Sequence, residues 1–284
     1  MPGCCASGGD RHIAVEAFGL PAHREVLRAH GLVLDALAVD ELGARTDELA
    51  RRPRVRSVVV SAAHQMPLGV TLAPERRAAV VAWAHARDGL VIEDDYDGEF
   101  RYDRAQVGSL QALDPDRVIY TGTASKSLAP GLRLAWMVVP AALVEPLTRA
   151  KALADRQSGV LDQLTLAELL EQGGYDRHVR RVRLHYRRRR DYLVDQLARR
   201  APSAQVTGIA AGLHALVRVP AHADAVRARA SALGLAVGHL DDYRMDGPHC
   251  SAVPGTEGLV VGYGTPPEHA FARAVELLCR ALDG

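Results

Sequence analysis

Residues 90–138 constrain what this chain can fold into more than any other stretch. They hold three short apolar runs, each bordered by polar chemistry. Leu90 to Ile92 runs into Glu93, Asp94, Asp95, Tyr96 and Asp97. Val118 to Tyr120 runs into a segment rich in hydroxyls and glycine, residues 121–127, with a single Lys126 inside it. Leu132 to Val139 leads back into the body of the protein. Short apolar runs bounded by turn signals read as buried strands. Open α/β sheets build their sites from polar residues at the carboxyl ends of such strands. The pattern therefore predicts an α/β protein whose site lies where the first two runs end.

The flanking sequence extends that sheet. Residues 55–60, VRSVVV, are a further buried-strand run, and HQMPLGVT after it is a turn shaped by Pro67 and Gly69. Pro74 sits where a first helical turn accepts it, and the helix is expected to reach about Ala86 before the strand at 90–93. Strand, helix, strand is the signature of a mostly parallel sheet. The run at 134–139 is expected to be antiparallel, because only seven positions separate Arg133 from Lys126 and no helix intervenes. Toward the amino terminus, residues 1–11 read as a loop, 12–16 and 32–39 as strands, and 21–30 and 40–50 as helices. Beyond Pro140, helices are expected over 140–154 and 163–171. A long arginine-laden helix follows over 178–197, with Val182, Tyr186 and Leu193 inward. After residue 204 short strands (213–219, 235–239, 259–263) alternate with helices (221–232, 270–282), and 244–258 reads as a surface loop. This change divides the chain into a large domain, 1–200, and a small α+β domain, 201–284.

The balance of 35 basic and 34 acidic side chains gives a net charge of +1, so nothing global favours nucleic acid, membrane or polyanions. The arginine run then reads as a solvated helix face. Four cysteines, Cys4, Cys5, Cys250 and Cys279, form neither a metal-like pairing nor a disulfide framework, which suits a reducing cytoplasm. The amino-terminal residues lack the apolar core of a signal peptide. No run approaches the ~18 apolar residues of a membrane span.

Asp94 and Tyr96 are two apart, so on a strand they face the same way. The acidic cluster around them has three readings: a divalent-metal site, a solvated acidic turn, or part of an organic ligand's site. Lys126 lies among Thr121, Gly122, Thr123, Ser125 and Ser127, with Arg133 beyond. Such a loop suits a phosphate, and an arginine adds a bidentate fork, although the glycine spacing is not that of a P-loop. The lysine is a charge clamp, a nucleophilic amine or a surface residue; in a desolvated pocket its pKa would fall. Together, an acid, a phenol, an amine and a phosphate nest match a ligand with a basic nitrogen, a phenolate, an aldehyde and a phosphate. Pyridoxal phosphate has all four.

VIEDDYDGEFRY and IYTGTASKSLAPGLRLAW resemble the aminotransferase-like domain of MocR-type regulators in the GntR superfamily. HQMPLGVT, LQALD at Leu110 to Asp114, the helix around Tyr186, and GLHALVRVP from Gly212 also match. The likeness covers roughly residues 12–282. It implies aminotransferase fold type I: a mostly parallel mixed sheet between helices, with a smaller carboxyl-terminal α+β domain. It also implies a cytoplasmic homodimer that acts on a small amino compound with pyridoxal 5'-phosphate. By the resemblance Lys126 would form the internal aldimine and shuttle the substrate proton. Asp94 would pair with the pyridine nitrogen, Tyr96 would donate to the phenolic oxygen, and Ser125, Arg133 and Thr123 would hold the phosphate.

Several positions depart from the family pattern. Leu20 stands where an aromatic ring stacks on the cofactor, Met66 where aminotransferases carry an asparagine that reaches the phenolic oxygen, and Leu68 where a small hydroxyl residue is usual. His64 is expected to help in place of that asparagine. Residues 258–266, GLVVGYGTP, lack the arginine that clamps a substrate carboxylate, and Arg244 is not a motif match. The sequence starts later than family domains do and contains no winged-helix DNA-binding domain, so direct nucleic-acid binding is not expected of it. Three readings follow: an aminotransferase-like protein that binds pyridoxal phosphate, the effector-sensing domain of a regulator, or a catalytically impaired remnant.

Overall fold

The structure is a computed structural model, and it describes residues 11–102, 108–219, 222–246 and 257–283. The loop expected at residues 1–11 falls almost wholly outside the described residues, as does most of the expected loop at 244–258.

Residues 12–138 build the main sheet. In chain order its first elements are β1 (His12–Glu16), α1 (Pro21–Ala29) and β2 (Val33–Leu37). A small hairpin follows, made of β3 (Val39–Asp40) and β4 (Gly43–Ala44). Then come β5 (Val55–Val60), α2 (Pro74–Arg87), β6 (Leu90–Asp95), β7 (Val118–Thr123) and β8 (Ala135–Val138). The six-stranded sheet has the order β2-β1-β5-β6-β7-β8. All of its pairs are parallel except β7 with β8, which is antiparallel as its short connection requires. Gly122 lies opposite Trp136 in that pair, and a Cβ there would come within 2.5 Å of the indole. The glycine is what lets the tryptophan lie across the end of β7.

β5 and β6 are buried because their valines face α2. Val55, Val58, Val60, Val80, Trp83, Val91, Leu110 and Val118 form one apolar cluster. Each such side chain contributes about 1.5–3 kcal/mol when fully buried. Glu93, on the opposite face of β6 from Asp94, is capped by the backbone N–H groups of Leu110 (2.9 Å) and Gln111 (3.1 Å).

Three helices, α3 (Ala141–Asp155), α4 (Val160–Glu171) and α5 (Gly174–Arg200), lead to a second sheet. It comprises β9 (Gln205–Thr207), β10 (His214–Arg218), β11 (Gly238–His239) and β12 (Gly258–Gly262), in the order β11-β12-β10-β9 and antiparallel throughout. α6 (Ala223–Ala232) and α7 (Glu268–Asp283) pack on it, with Leu193 and Leu197 of α5, Val217, Val226, Leu259, Phe271, Val275 and Leu278 in one cluster. A third cluster joins the two sheets through Val15, Phe18, Leu216, Leu240 and Val260.

Three expectations need correction. Residues 40–50 are not a helix: β3 and β4 turn there, and a 3₁₀ turn covers Thr46–Arg51. The Asp40 carboxylate accepts from Leu42 N–H and from Arg76, and Gly43 has φ +90° with Leu72 Cα against its open side. These tertiary contacts outweigh the helical spacing. The strand expected at 235–239 shrinks to Gly238–His239, because Leu235 N–H returns to Ala230 O to finish α6. The basic helix is not uniformly solvated. Arg189 is buried; it donates to Tyr263 O (3.2 Å) and Pro266 O (2.6 Å) and pairs with Glu268 (2.8 Å).

α3 and α4 contain no buried residue; Leu153 is 83% and Leu161 80% exposed. No helix among the described residues is long and apolar enough to cross a membrane.

Candidate functional site

A cavity of about 590 Å³ opens at the carboxyl ends of β1, β5, β6 and β7. Glu16, Ser61, Asp94, Tyr96, Thr121 and Thr123 line one side. Ser125, Lys126 and Arg133 line the approach, and Leu20, His23, Met66, Leu213 and His214 line the remainder. The volume lies in the range typical of small-molecule and cofactor sites. Six of the seven residues singled out in the sequence, Asp94, Tyr96, Thr123, Ser125, Lys126 and Arg133, meet at this one cavity.

The register explains the meeting. Asp94 pairs with Thr121 and Asp95 with Gly122, so the acid and the hydroxyl loop end at the same level. β6 stops at Asp95, and the acidic run then scatters. Asp94 faces the cavity, Asp95 accepts from the Tyr120 hydroxyl (2.8 Å), and Asp97 pairs with His64 (2.8 Å).

Burial raises the Asp94 pKa, and Asp95 and Asp97 add to the rise against the counter-effect of His23 and a Thr121 hydrogen bond. A carboxylate in that setting gains from a cationic or proton-bearing partner. Burial, then the charges of Asp97 and Asp94, hold the Tyr96 phenol well above its ordinary pKa, so it stays a neutral donor. Lys126 is exposed at the open side of the cavity. Arg133 is also exposed and takes a left-handed backbone, φ +52°.

Thr123 and Ser125 form a turn of their own. Ser125 N–H donates to Thr123 Oγ1 (3.1 Å), and the Thr123 hydroxyl reaches Leu134 O (3.1 Å) and Ser125 Oγ (3.0 Å). The threonine hydroxyl thus ties the end of β7 to Leu134 and to the Ser125 hydroxyl.

His64 does not line the cavity. It lies behind Tyr96, with Nδ1 3.2 Å from the Tyr96 hydroxyl oxygen. Leu20 does line the cavity, 39% exposed, so no aromatic ring occupies that position.

Four residues matter here that sequence reasoning passed over. The Glu16 carboxyl accepts from Ser61 N–H (3.3 Å) and Gln65 Nε2 (3.2 Å) on the cavity wall. Gln65 also donates to Phe18 O (2.8 Å) and so ties the end of β1 to the turn after β5. Arg24 is buried and donates to Gly19 O (2.9 Å) and Tyr243 O (2.8 Å), which fastens one wall to the second sheet. The guanidinium is bound to these carbonyls. His214 lines the cavity from β10; burial, then the nearby His64 ring, push its pKa down to about 4, and Nε2 has no partner among the described residues. Only the single acidic residue ending the β1 run, and HAL within GLHALVRVP, could have flagged Glu16 and His214.

The donor set is matched to one kind of ligand. A buried acid, a neutral phenol, a primary amine and an arginine with a serine hydroxyl line one cavity, and those groups fit pyridoxal phosphate.

Comparisons with known proteins agree. The family model "Aminotransferase class I and II" matches residues 2–239. An uncharacterized HTH-type transcriptional regulator of Bacillus subtilis, YhdI, is 33% identical over 270 residues, covering 94% of this chain and 56% of its own. The pyridoxine biosynthesis regulator PdxR of Corynebacterium glutamicum is 32% identical over 90% of this chain and 54% of its own. The chain thus spans about half the length of these relatives. The crystal structure of LysN, an α-aminoadipate aminotransferase of Thermus thermophilus complexed with N-(5'-phosphopyridoxyl)-L-leucine, superposes with a TM-score of 0.83. It is 25% identical, over 97% of this chain and 72% of that one. The expected fold, a mixed and mostly parallel sheet between helices followed by a smaller sheet, is the fold of these aminotransferases. On the length of the family match and the architecture together, this chain belongs to the class I and II aminotransferase family.

Proposed function

We propose that this chain binds pyridoxal phosphate and handles the amino group of a small amino acid or amine, as an aminotransferase-like protein. The observation that carries this is the convergence of Asp94, Tyr96, Lys126 and Arg133 on one cavity from three segments of the chain. When bound, the cofactor supplies an aldehyde that condenses with primary amines and a ring that draws electrons from the adjoining carbon. The protein residues do the rest. Asp94 would keep a proton on the ring nitrogen, Tyr96 would donate to the phenolic oxygen, and Ser125 and Arg133, with Thr123, would hold the phosphate. Lys126 Nζ would be the amine that meets the cofactor's aldehyde, and as a free amine it would serve as the base that moves a proton.

One observation favours a second reading, that of an effector-sensing domain. The cavity's guanidinium groups, among the described residues, are those of Arg24 and Arg133. The first is bound to carbonyls and the second is assigned to phosphate, so no clamp remains for a substrate carboxylate. A protein so built holds an amino compound without turning it over efficiently.

The visible spectrum of protein mixed with pyridoxal phosphate, with and without Lys126→Ala, tests the assignment. A band that is present in the wild type and lost in the variant is expected; identical spectra would overturn it. Amino donors that convert the band with release of a 2-oxo acid indicate an enzyme, and donors that shift it without product indicate a sensor.

The same reading includes a division near residue 200 into a large and a small domain, a cytoplasmic setting, and a homodimer. Exposed Leu153, Leu161 and Leu164 on α3 and α4, with Met137 and Val138 on β8, support the dimer, since an assembly would cover them.

A further inference from the structure

Behind Tyr96 lies a buried polar group that the proposed chemistry does not use. His64 is 3% and Asp97 2% exposed. His64 Nδ1 is 2.8 Å from Asp97 Oδ2 and 3.2 Å from the Tyr96 oxygen, so one ring nitrogen faces two oxygens. The imidazole is closely packed. The His214 ring lies 5.0 Å away, and Gly212 leaves room for no side chain between His64 and Asp97.

The proton inventory follows from the partners. A carboxylate only accepts, so the nitrogen facing Asp97 carries the hydrogen. That N–H is shared with the Tyr96 oxygen and occupies one of its lone pairs. The hydroxyl's own hydrogen is then not taken by His64. Asp97 is within reach of it in the ligand-free protein, and an anionic acceptor in the cavity draws it out instead. With the opposite tautomer the bare nitrogen would pull the hydroxyl hydrogen inward, away from the cavity.

We propose that the Asp97–His64 pair is a positioning device for Tyr96: it fixes the His64 proton on Nδ1, engages a lone pair of the hydroxyl, and leaves the hydroxyl hydrogen for an oxygen anion in the cavity. The inference rests on the reading above, under which that anion is the phenolic oxygen of pyridoxal phosphate. It assigns His64 an indirect role in place of the direct one suggested by the sequence.

Two measurements test it. The first is the His64 tautomer, read by ¹⁵N–¹H correlation on the ligand-free wild-type protein. Nδ1–H is expected, and Nε2–H alone would overturn the device whatever the ligand proves to be. The second compares the affinity for pyridoxal phosphate with that for 3-deoxypyridoxal phosphate, which lacks the phenolic oxygen. His64→Phe should weaken the first about tenfold, the order of one hydrogen bond to a charged group, and leave the second within twofold. In a Tyr96→Phe background the same substitution should have no further effect, and His64→Asn, which restores a donor, should recover most of the loss. Equal weakening for both ligands, or the same loss in both backgrounds, identifies a merely structural role and sinks the proposal. Failure of the wild type to bind either ligand sinks the cofactor reading instead, and the tautomer still decides the device.

Discussion

The Tyr175 hydroxyl lies 2.8 Å from Ser127 Oγ, so the start of α5 is bonded to the residue that follows Lys126. The same hydroxyl donates to Glu99 Oε1 at 2.8 Å, and His178 Nε2, one turn along α5, meets Ser127 O at 2.8 Å. Ser127 is buried while Lys126 is exposed, so α5 anchors the backbone from which the lysine projects. Tyr175→Phe removes two side-chain bonds and leaves the Glu99 carboxyl with fewer donors. It is expected to cost about 1–3 kcal/mol in urea unfolding and to weaken pyridoxal phosphate binding severalfold without abolishing the Lys126-dependent band. Unchanged stability with unchanged affinity would show that the anchor is dispensable.

Gly212 is held by three hydrogen bonds. Its N–H donates to Phe100 O (2.8 Å), and its carbonyl accepts from the hydroxyls of Tyr102 and Tyr263, each at 2.6 Å. The backbone has φ +71°, and a Cβ would strike the His64 ring and come within 2.6 Å of Asp97 Oδ2. Gly212→Ala therefore combines backbone strain with a clash between buried groups that cannot retreat. A loss of about 2–4 kcal/mol is expected, read by thermal and urea unfolding. A loss below about 0.5 kcal/mol would mean that the Asp97–His64 pair is not rigidly held.

The Glu16 carboxyl makes stability depend on pH. Burial pushes its pKa up from 4.5 to about 7 against the bonds from Gln65 and Ser61, and Asp94 adds to the rise. Because the folded-state pKa is the higher one, the folded protein binds the proton more tightly than the unfolded chain. The associated stability is fully present below about 4.5 and is lost as pH rises through about 7. Between pH 5 and pH 8 the ligand-free protein should lose on the order of 1–2 kcal/mol from this group, discounted for the water that the cavity admits. Glu16→Gln should flatten that slope and be the more stable form at pH 8. Parallel slopes for the two proteins in urea titrations across this range would refute the assignment.

The strands of the main sheet were legible because their signal is local. VRSVVV, LVI and VIY are short apolar runs that no solvated segment can sustain, and the turn chemistry of Pro67, Gly69 and Pro74 spaces them. The helical reading of residues 40–50 failed because Asp40 is engaged by Arg76, 36 positions away, and local spacing carries no trace of that bond. The same limit applied within the site. Asp94, Tyr96, Lys126 and Arg133 stand close in sequence and could be assembled on paper, whereas Glu16, Arg24 and His214 reach the cavity from distant segments.

By itself the sequence determined the class of fold, the mainly parallel pairing of the central strands, and the kind of ligand whose groups Asp94, Tyr96, Ser125, Lys126 and Arg133 would meet. Only the tertiary structure decided that Asp95 and Asp97 bond to Tyr120 and His64, that the Thr123 hydroxyl bonds to Leu134 O and Ser125 Oγ, and that His64 stands behind Tyr96. Period and composition fix which face a residue takes. Which hydrogen-bond partner each polar group meets depends on segments that come together only when the two sheets pack, because a buried donor or acceptor must find its partner wherever the fold supplies one.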